Sequence, residues 1–235
     1  MRDPLAARPT ISDRSGITDA VRVQILATEH WSLLATRSMT WNEVFSRASM
    51  FITVLSAAVV ALALVAQATS FGSAFHIFAL LVLPIVLLVG LATLLRLSDA
   101  NADDFGIVVG MNRLRQAYME LAPELEPYFV TESHDDENSV MRSYGMHHRM
   151  SFRRIIAGTP NLVAAINVVI VGALAALIAQ TLGATDTVAT VVGILAGLGA
   201  VIAFALLAYS TISSARRSHV ALFPHVSREP APTVD

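Results

Sequence analysis

Between Arg47 and Arg96 the chain carries 48 consecutive residues without Asp, Glu, Lys or Arg, and between Arg154 and Arg216 the only such residue is Asp186. Side chains that demand no water over runs of this length suit a lipid bilayer. A hydrocarbon core of about 30 Å is crossed by about 20 helical residues, whereas the first run in a single helix would measure about 72 Å. Each run is therefore expected to cross, turn and return. The expected fold is an all-α integral membrane protein with four transmembrane helices in two hairpins, plus amphipathic cytoplasmic helices.

Hydrophobic residues make up 54% of the chain and charged residues 14%, against about a quarter charged in soluble domains. A net charge of -2 provides no basic face to displace counterions, so nucleic acid is not an expected partner. Cysteine is absent, which removes disulfides, thiolate nucleophiles and sulfur-held metals. All 16 basic residues are arginine, which removes Schiff-base chemistry and a phosphate-loop lysine. Arginine without lysine, among much Ala and Val, also points to a GC-rich, bacterial genome. Charges recur through the first 40 residues, from Arg2 and Asp3 to Glu29 and Arg37, leaving no room for the apolar core of a signal peptide. No cofactor is expected.

Residues 1–16, with Pro4, Pro9 and Gly16 among charges, read as a flexible tail. Residues 17–47 place Val21, Ile25, Thr28 and Ser32 on one face and Leu26, His30, Leu33 and Arg37 on another. This predicts a cytoplasmic amphipathic helix that reaches headgroup depth at Trp41 and Phe45. The first hairpin is assigned to 48–97, turning at Ser70, Phe71, Gly72 and Ser73, with a kink expected at Pro84. Residues 98–158 form a connector, and its 98–154 portion holds ten acidic residues and six arginines. Within it, Asp103 or Asp104 is expected to cap a helix bearing the apolar stripe Ile107, Met111, Leu114, Tyr118 and Leu121, which stops near Pro123 and leaves Leu125 beyond. Residues 131–138 read as a solvated loop, and a further helix is expected from Ser139 towards Ile156. Thr159 as cap and Pro160 at the first helical position open the second hairpin, 159–213, which turns at 183–187. Residues 214–235, with Pro224, Pro230 and Pro232, read as a second flexible tail.

Orientation follows from arginine. Arg37, Arg47, Arg96, Arg142, Arg149, Arg153, Arg154, Arg216 and Arg217 flank one side of the four spans, and neither hairpin turn contains any. Positive charge is retained on the cytoplasmic side. The expectation is a multi-pass protein of the inner, or plasma, membrane with both termini and the connector in the cytoplasm. Residues 63–67 align with 176–180 at matching places in the first and third spans. A duplicated two-span unit would produce this match, and so would Ala- and Leu-rich composition alone.

Gly193 and Gly197 form a GxxxG pair that Ala189, Ala196, Gly199 and Ala200 extend into a flat face for helix packing, within the chain or between subunits. Asn167 is the most deeply placed polar residue of the third span. An interhelical hydrogen bond would satisfy its amide, as would the lining of a polar path. No charge falls at mid-membrane, which disfavours an ion-coupled transporter.

A metal site of oxygen and nitrogen ligands would have to draw on His134, Asp135, Asp136, His147 and His148, whose spacing matches no metal motif. Adjacent histidines point about 100° apart on a helix, and no metal is expected. Arg149, Arg153 and Arg154 beside those histidines, together with Arg216 and Arg217, read instead as contacts to anionic membrane lipid, each worth about 1 kcal/mol. No intramembrane protease motif is present. Asp99, Asp103 and Asp104 are the only clustered carboxylates at a membrane edge, with helix capping as their plainer role.

The function expected from these features is a non-enzymatic membrane protein acting through assembly, either as a homo-oligomer or with a membrane-protein partner. Its cytoplasmic helices and small-residue transmembrane faces would make the contacts. An oligomeric channel is the alternative, and a membrane enzyme using the cytoplasmic-edge carboxylates is third.

Overall fold

The computed structural model describes residues 17–144, 158–217 and 219–225, without the side chains of 212, 215 and 216. Its α-helices are α1 (Asp19–Thr69), α2 (Ser73–Leu121), α3 (Glu137–Ser143), α4 (Thr159–Thr181) and α5 (Asp186–Arg217), with a 3-10 turn at Pro123–Tyr128. Among the described residues every regular element is helical. Four helices, α1, α2, α4 and α5, are long and apolar enough to cross a membrane, as a multi-pass membrane protein requires.

The long helices run on past the segments read from the sequence. No Pro or Gly interrupts 17–69, so the helix read as 17–47 and the span that follows it are one helix of 51 residues. Within it the hydroxyls of Thr53, Ser56 and Thr69 donate to the carbonyls of Ser49, Ile52 and Val65 at 2.7–2.9 Å, so these polar atoms need no water where lipid offers none. Likewise α2 passes through Pro84 without a break and continues past Asp103 and Asp104. Those aspartates therefore sit in mid-helix and cap nothing. The stop before Pro123 does occur, because the residue preceding a proline resists helical geometry.

At the turn between α1 and α2, Ser70 and Phe71 take positive φ of 47° and 58°. After α4 the left-handed position is Gly183, with φ 87°. There Ala184 N donates to Ala179 O and Gly183 N to Gln180 O, both at 3.0 Å, closing the helix end in a Schellman motif. The cap of α4 is Gly158, with extended backbone and no side-chain bond. Thr159 is itself the first helical residue, so it cannot serve as the cap.

The chain divides into two compact units, and α1 and α2 contribute to both. One comprises Ser38–Asp103 and the described part of His148–Ser218. Its core is Val44, Phe51 and Ala58 of α1, Val86, Leu94, Leu97 and Ala100 of α2, and Val163 and Ile170 of α4. Only 11–28% of the apolar window in each candidate span is buried, leaving most of those side chains free to face lipid. Arg47 and Arg96 both donate to Glu43, at 2.9 and 3.0 Å. Hydrogen bonds from Arg96 first and then Arg47 hold that carboxyl below its ordinary range.

The glycine face of α5 approaches α4 most closely at Gly193. A Cβ on Gly193 would lie 2.8 Å from Gly172 O, and one on Gly172 would lie 3.0 Å from Gly193 O. Gly197 has ordinary room, 3.7 Å from Val168, and Gly199 faces open space. Close approach of the two backbones thus depends on Gly193 and on Gly172, which the GxxxG pattern did not include.

Candidate functional site

The second unit comprises the described parts of Met1–Arg37, Asp104–His147 and His219–Asp235. Its apolar cluster is Phe105, Val108, Val109 and Val140, with Met141 and Tyr144 against it. The buried face of α2 in this unit also holds Asp104 and Asn112. Its centre is rotated on the order of 100° from that of the stripe Ile107, Met111, Leu114, Tyr118 and Leu121, of which Met111 is itself buried. Apolar periodicity misplaced the face because two of its innermost positions are polar.

Three groups of polar side chains organise this unit. In the first, Arg37 of α1 donates to both oxygens of Asp104, at 2.7 and 3.1 Å, and Tyr144 OH donates to Asp104 Oδ2 at 2.7 Å. The Arg37 guanidinium also lies 5.8 Å from the Tyr144 ring centroid. Burial, reinforced by the Asp104 hydrogen bond, pushes the Tyr144 phenol above its ordinary value. In the second, Asn112 donates to His134 O at 2.8 Å, while its own oxygen accepts from Arg115 Nη1 at 2.8 Å and Ser143 Oγ at 3.1 Å. This fully buried amide ties α2 to both ends of the 134–143 segment.

The third group is centred on Asp135. Its carboxylate accepts from Arg113 Nε at 2.8 Å, Leu222 N at 2.9 Å and Phe223 N at 2.7 Å. Asp135 N donates to Phe223 O at 3.3 Å, and Arg113 Nη2 donates to Val220 O at 3.0 Å. His219 Nε2 lies 2.6 Å from Asp135 O. Burial pushes the Asp135 carboxyl up, but the Leu222 amide, Arg113 and the Phe223 amide together outweigh it and leave the group below its ordinary range. Asp136 is lowered in the same way, burial being overcome by the His225 amide and by Ser139. It caps α3 by accepting from Ser139 N at 3.2 Å.

Two expectations change here. Asp135 and Ser133 are buried, so 131–138 is not a solvated loop. Residues 219–225, read as part of a loose tail, are held by Asp135, Asp136 and Arg113. Hydrogen bonds to an ionised acceptor are roughly twice as strong as neutral ones, and the charge-rich sequence concealed that Asp135 accepts two of them from successive backbone N–H groups. The apolar run Val220, Ala221, Leu222 and Phe223 was the signal available.

The weak metal candidates are placed differently from one another. The Asp135 and Asp136 carboxylates are engaged as described, and His134 packs its ring 5.0 Å from that of His225. His147 and His148 lie outside the described residues. Among the described residues no three potential ligands gather. Of the lipid-contact arginines, Arg149, Arg153 and Arg154 lie outside the described residues, as does the Arg216 side chain, while Arg217 is exposed at the end of α5. The helix expected from Ser139 towards Ile156 is seen as Glu137–Ser143 with Tyr144 as its C-cap, and 145–156 lie outside the described residues.

In the first unit Asn167 is fully buried and donates to Val163 O of its own helix at 2.9 Å. Its Oδ1 has no hydrogen-bond partner. The amide fills the place that a Cβ on Gly90 would take, beside the Phe51 ring. Asn167 thus meets the neighbouring helices by packing, and makes its hydrogen bond within its own helix. Comparison with protein-family models, curated proteins and solved structures finds no match.

Proposed function

We propose that this protein acts through assembly: a four-span membrane protein of two hairpins whose α1 associates with a second copy of the chain. The observation carrying this reading is the two-sidedness of α1 before its apolar stretch. Leu26, His30, Leu33 and Arg37 form its less exposed side, and a Cβ on Gly110 would lie 3.0 Å from Leu33. The other side leaves Val21, Ile25 and Trp31 exposed, Trp31 by 70%. Large apolar side chains grouped on a face that must otherwise meet water mark an interaction surface. Two further features support the reading. The carboxylates of Asp104 and Asp135 are occupied in holding segments together. Asn167 packs against Phe51 and Gly90.

The mass of the detergent-purified particle tests the assembly. It should exceed the 25.1 kDa chain by a whole multiple, and Trp31→Glu should lower it to one chain without loss of helicity. A wild-type monomer would end the reading. Orientation is tested separately, because the chain has no cysteine of its own. In intact cells Ser73→Cys should react with an impermeant maleimide and Glu124→Cys only after permeabilisation, as retention of arginine in the cytoplasm requires. The reverse pattern would refute the orientation.

A further inference from the structure

Arg115 is the one half-buried arginine among the described residues without a carboxylate in ion-pair range. Its Nη1 donates to the neutral amide oxygen of Asn112 at 2.8 Å, and that oxygen is shared with Ser143. The carboxylate that pairs with Arg37, its charged neighbour, is already engaged, because Asp104 accepts from both arms of Arg37 and from Tyr144. Arg115 also repels Arg37, and burial followed by that repulsion holds its pKa below the ordinary value. His30 of α1 stands close enough to feel the same charge. Burial first and then Arg115 lower its pKa. The ring stacks on Tyr118 with 6.1 Å between centroids, and Tyr118 stacks on Phe129 at 6.4 Å.

Arg37 and Asp104 cancel, and His30, Asn112, Ser143 and Tyr118 supply no negative charge. One positive charge is left over, held partly out of water with its Nε and Nη2 edge making no hydrogen bond to a described residue. A protein fold keeps an uncompensated, desolvated cation at a cost, and such groups concentrate at binding sites. The free edge of a guanidinium presents two N–H groups in the fork that matches two oxygens of one oxyanion.

We propose that Arg115, with the ring of His30 beside it, binds the phosphate group of a small ligand or of a lipid headgroup. This site is separate from the assembly surface, which lies on the opposite side of α1.

The test uses the full chain in neutral detergent. Its melting temperature is followed against inorganic phosphate, with chloride at equal ionic strength as control, and in micelles doped with phosphatidylglycerol, with phosphatidylcholine as control. Phosphorus NMR line broadening on the wild-type protein gives a readout that needs no variant. A saturable rise with phosphate identifies a soluble ligand, and a rise confined to phosphatidylglycerol identifies a lipid. Either supports the proposal if Arg115→Gln abolishes the rise and weakens binding at least about tenfold while Arg115→Lys retains part of it. Without ligand, Arg115→Gln should melt at or above wild type, since it removes an unmatched charge. The proposal is overturned by the absence of any saturable response in wild type, or by an equal response in Arg115→Gln. A lowered baseline in Arg115→Gln together with an unresponsive wild type would assign Arg115 to supporting Asn112 alone.

Discussion

Asp135→Ala should destabilise the protein by about 3 kcal/mol, at the low end of the range for breaking a buried ion pair. The substitution leaves Arg113 without its carboxylate and the Leu222 and Phe223 amides without an acceptor. The Arg113 side chain is 33% exposed and can recover some hydration, hence the low end. Asp135→Asn should fare little better, because an amide NH2 would face a donor at one of these positions. The pH dependence has a definite sign. The folded-state pKa of Asp135 lies below its unfolded value, so its contribution is complete above the unfolded pKa of about 4 and is lost as pH falls through the folded one. Thermal unfolding between neutral and acid pH should therefore show a flatter acid limb in the alanine variant. Hydrogen exchange provides the local measure. The Leu222 and Phe223 amides should be protected in wild type and exchange freely in Asp135→Ala. Retained protection with an unchanged melting temperature would show that the 219–225 segment is held by something else.

What the sequence revealed and concealed divides along physical lines. Membrane-crossing helices are legible because the absence of charge over 48 residues is a bulk property that no local detail reverses. The stop before Pro123 was legible because it is a property of a single residue, whereas the break at 70–72 takes its left-handed positions at Ser70 and Phe71, which the residue types alone do not reveal. Helix continuity was harder to see. Asp103 and Asp104 resemble a cap, yet no breaking residue precedes them and α2 continues through both.

The polar groups of the second unit were nearly invisible, because their partners are far apart in the chain. Arg37 meets Asp104 across 67 positions and Asp135 meets Phe223 across 88, and charge patterning reads only neighbours. Arg115 shows the limit most clearly. A helix position three residues from Asn112 and three from Tyr118 looks like solvated surface until the fold half-buries it. The small-residue signal was partly right in kind: of Gly193, Gly197 and Gly199, Gly193 makes the close approach, and its partner Gly172 stood outside the motif because GxxxG describes one helix at a time.

Gly90 and Asn167 should prove strongly coupled, because the amide of one occupies the volume a side chain on the other would need. A Cβ on Gly90 would meet both terminal atoms of Asn167 and would lie 2.8 Å from the Phe51 ring. None of these can yield cheaply, since Phe51 and Asn167 are fully buried in a close-packed region. Gly90→Ala alone should therefore cost about 2 kcal/mol, an overpacking penalty. Asn167→Ala alone should cost about 1 kcal/mol, because it loses the bond to Val163 but also removes an oxygen that has no partner. In the double variant the new methyl group enters the space the amide has left. Its cost should fall short of the sum by at least about 1 kcal/mol, as expected for residues in direct contact. Unfolding in mixed micelles, read by circular dichroism on all four proteins, closes the cycle. Additivity within about 0.5 kcal/mol would mean that the amide does not occupy the Gly90 notch, and would return Asn167 to consideration as the lining of a polar path.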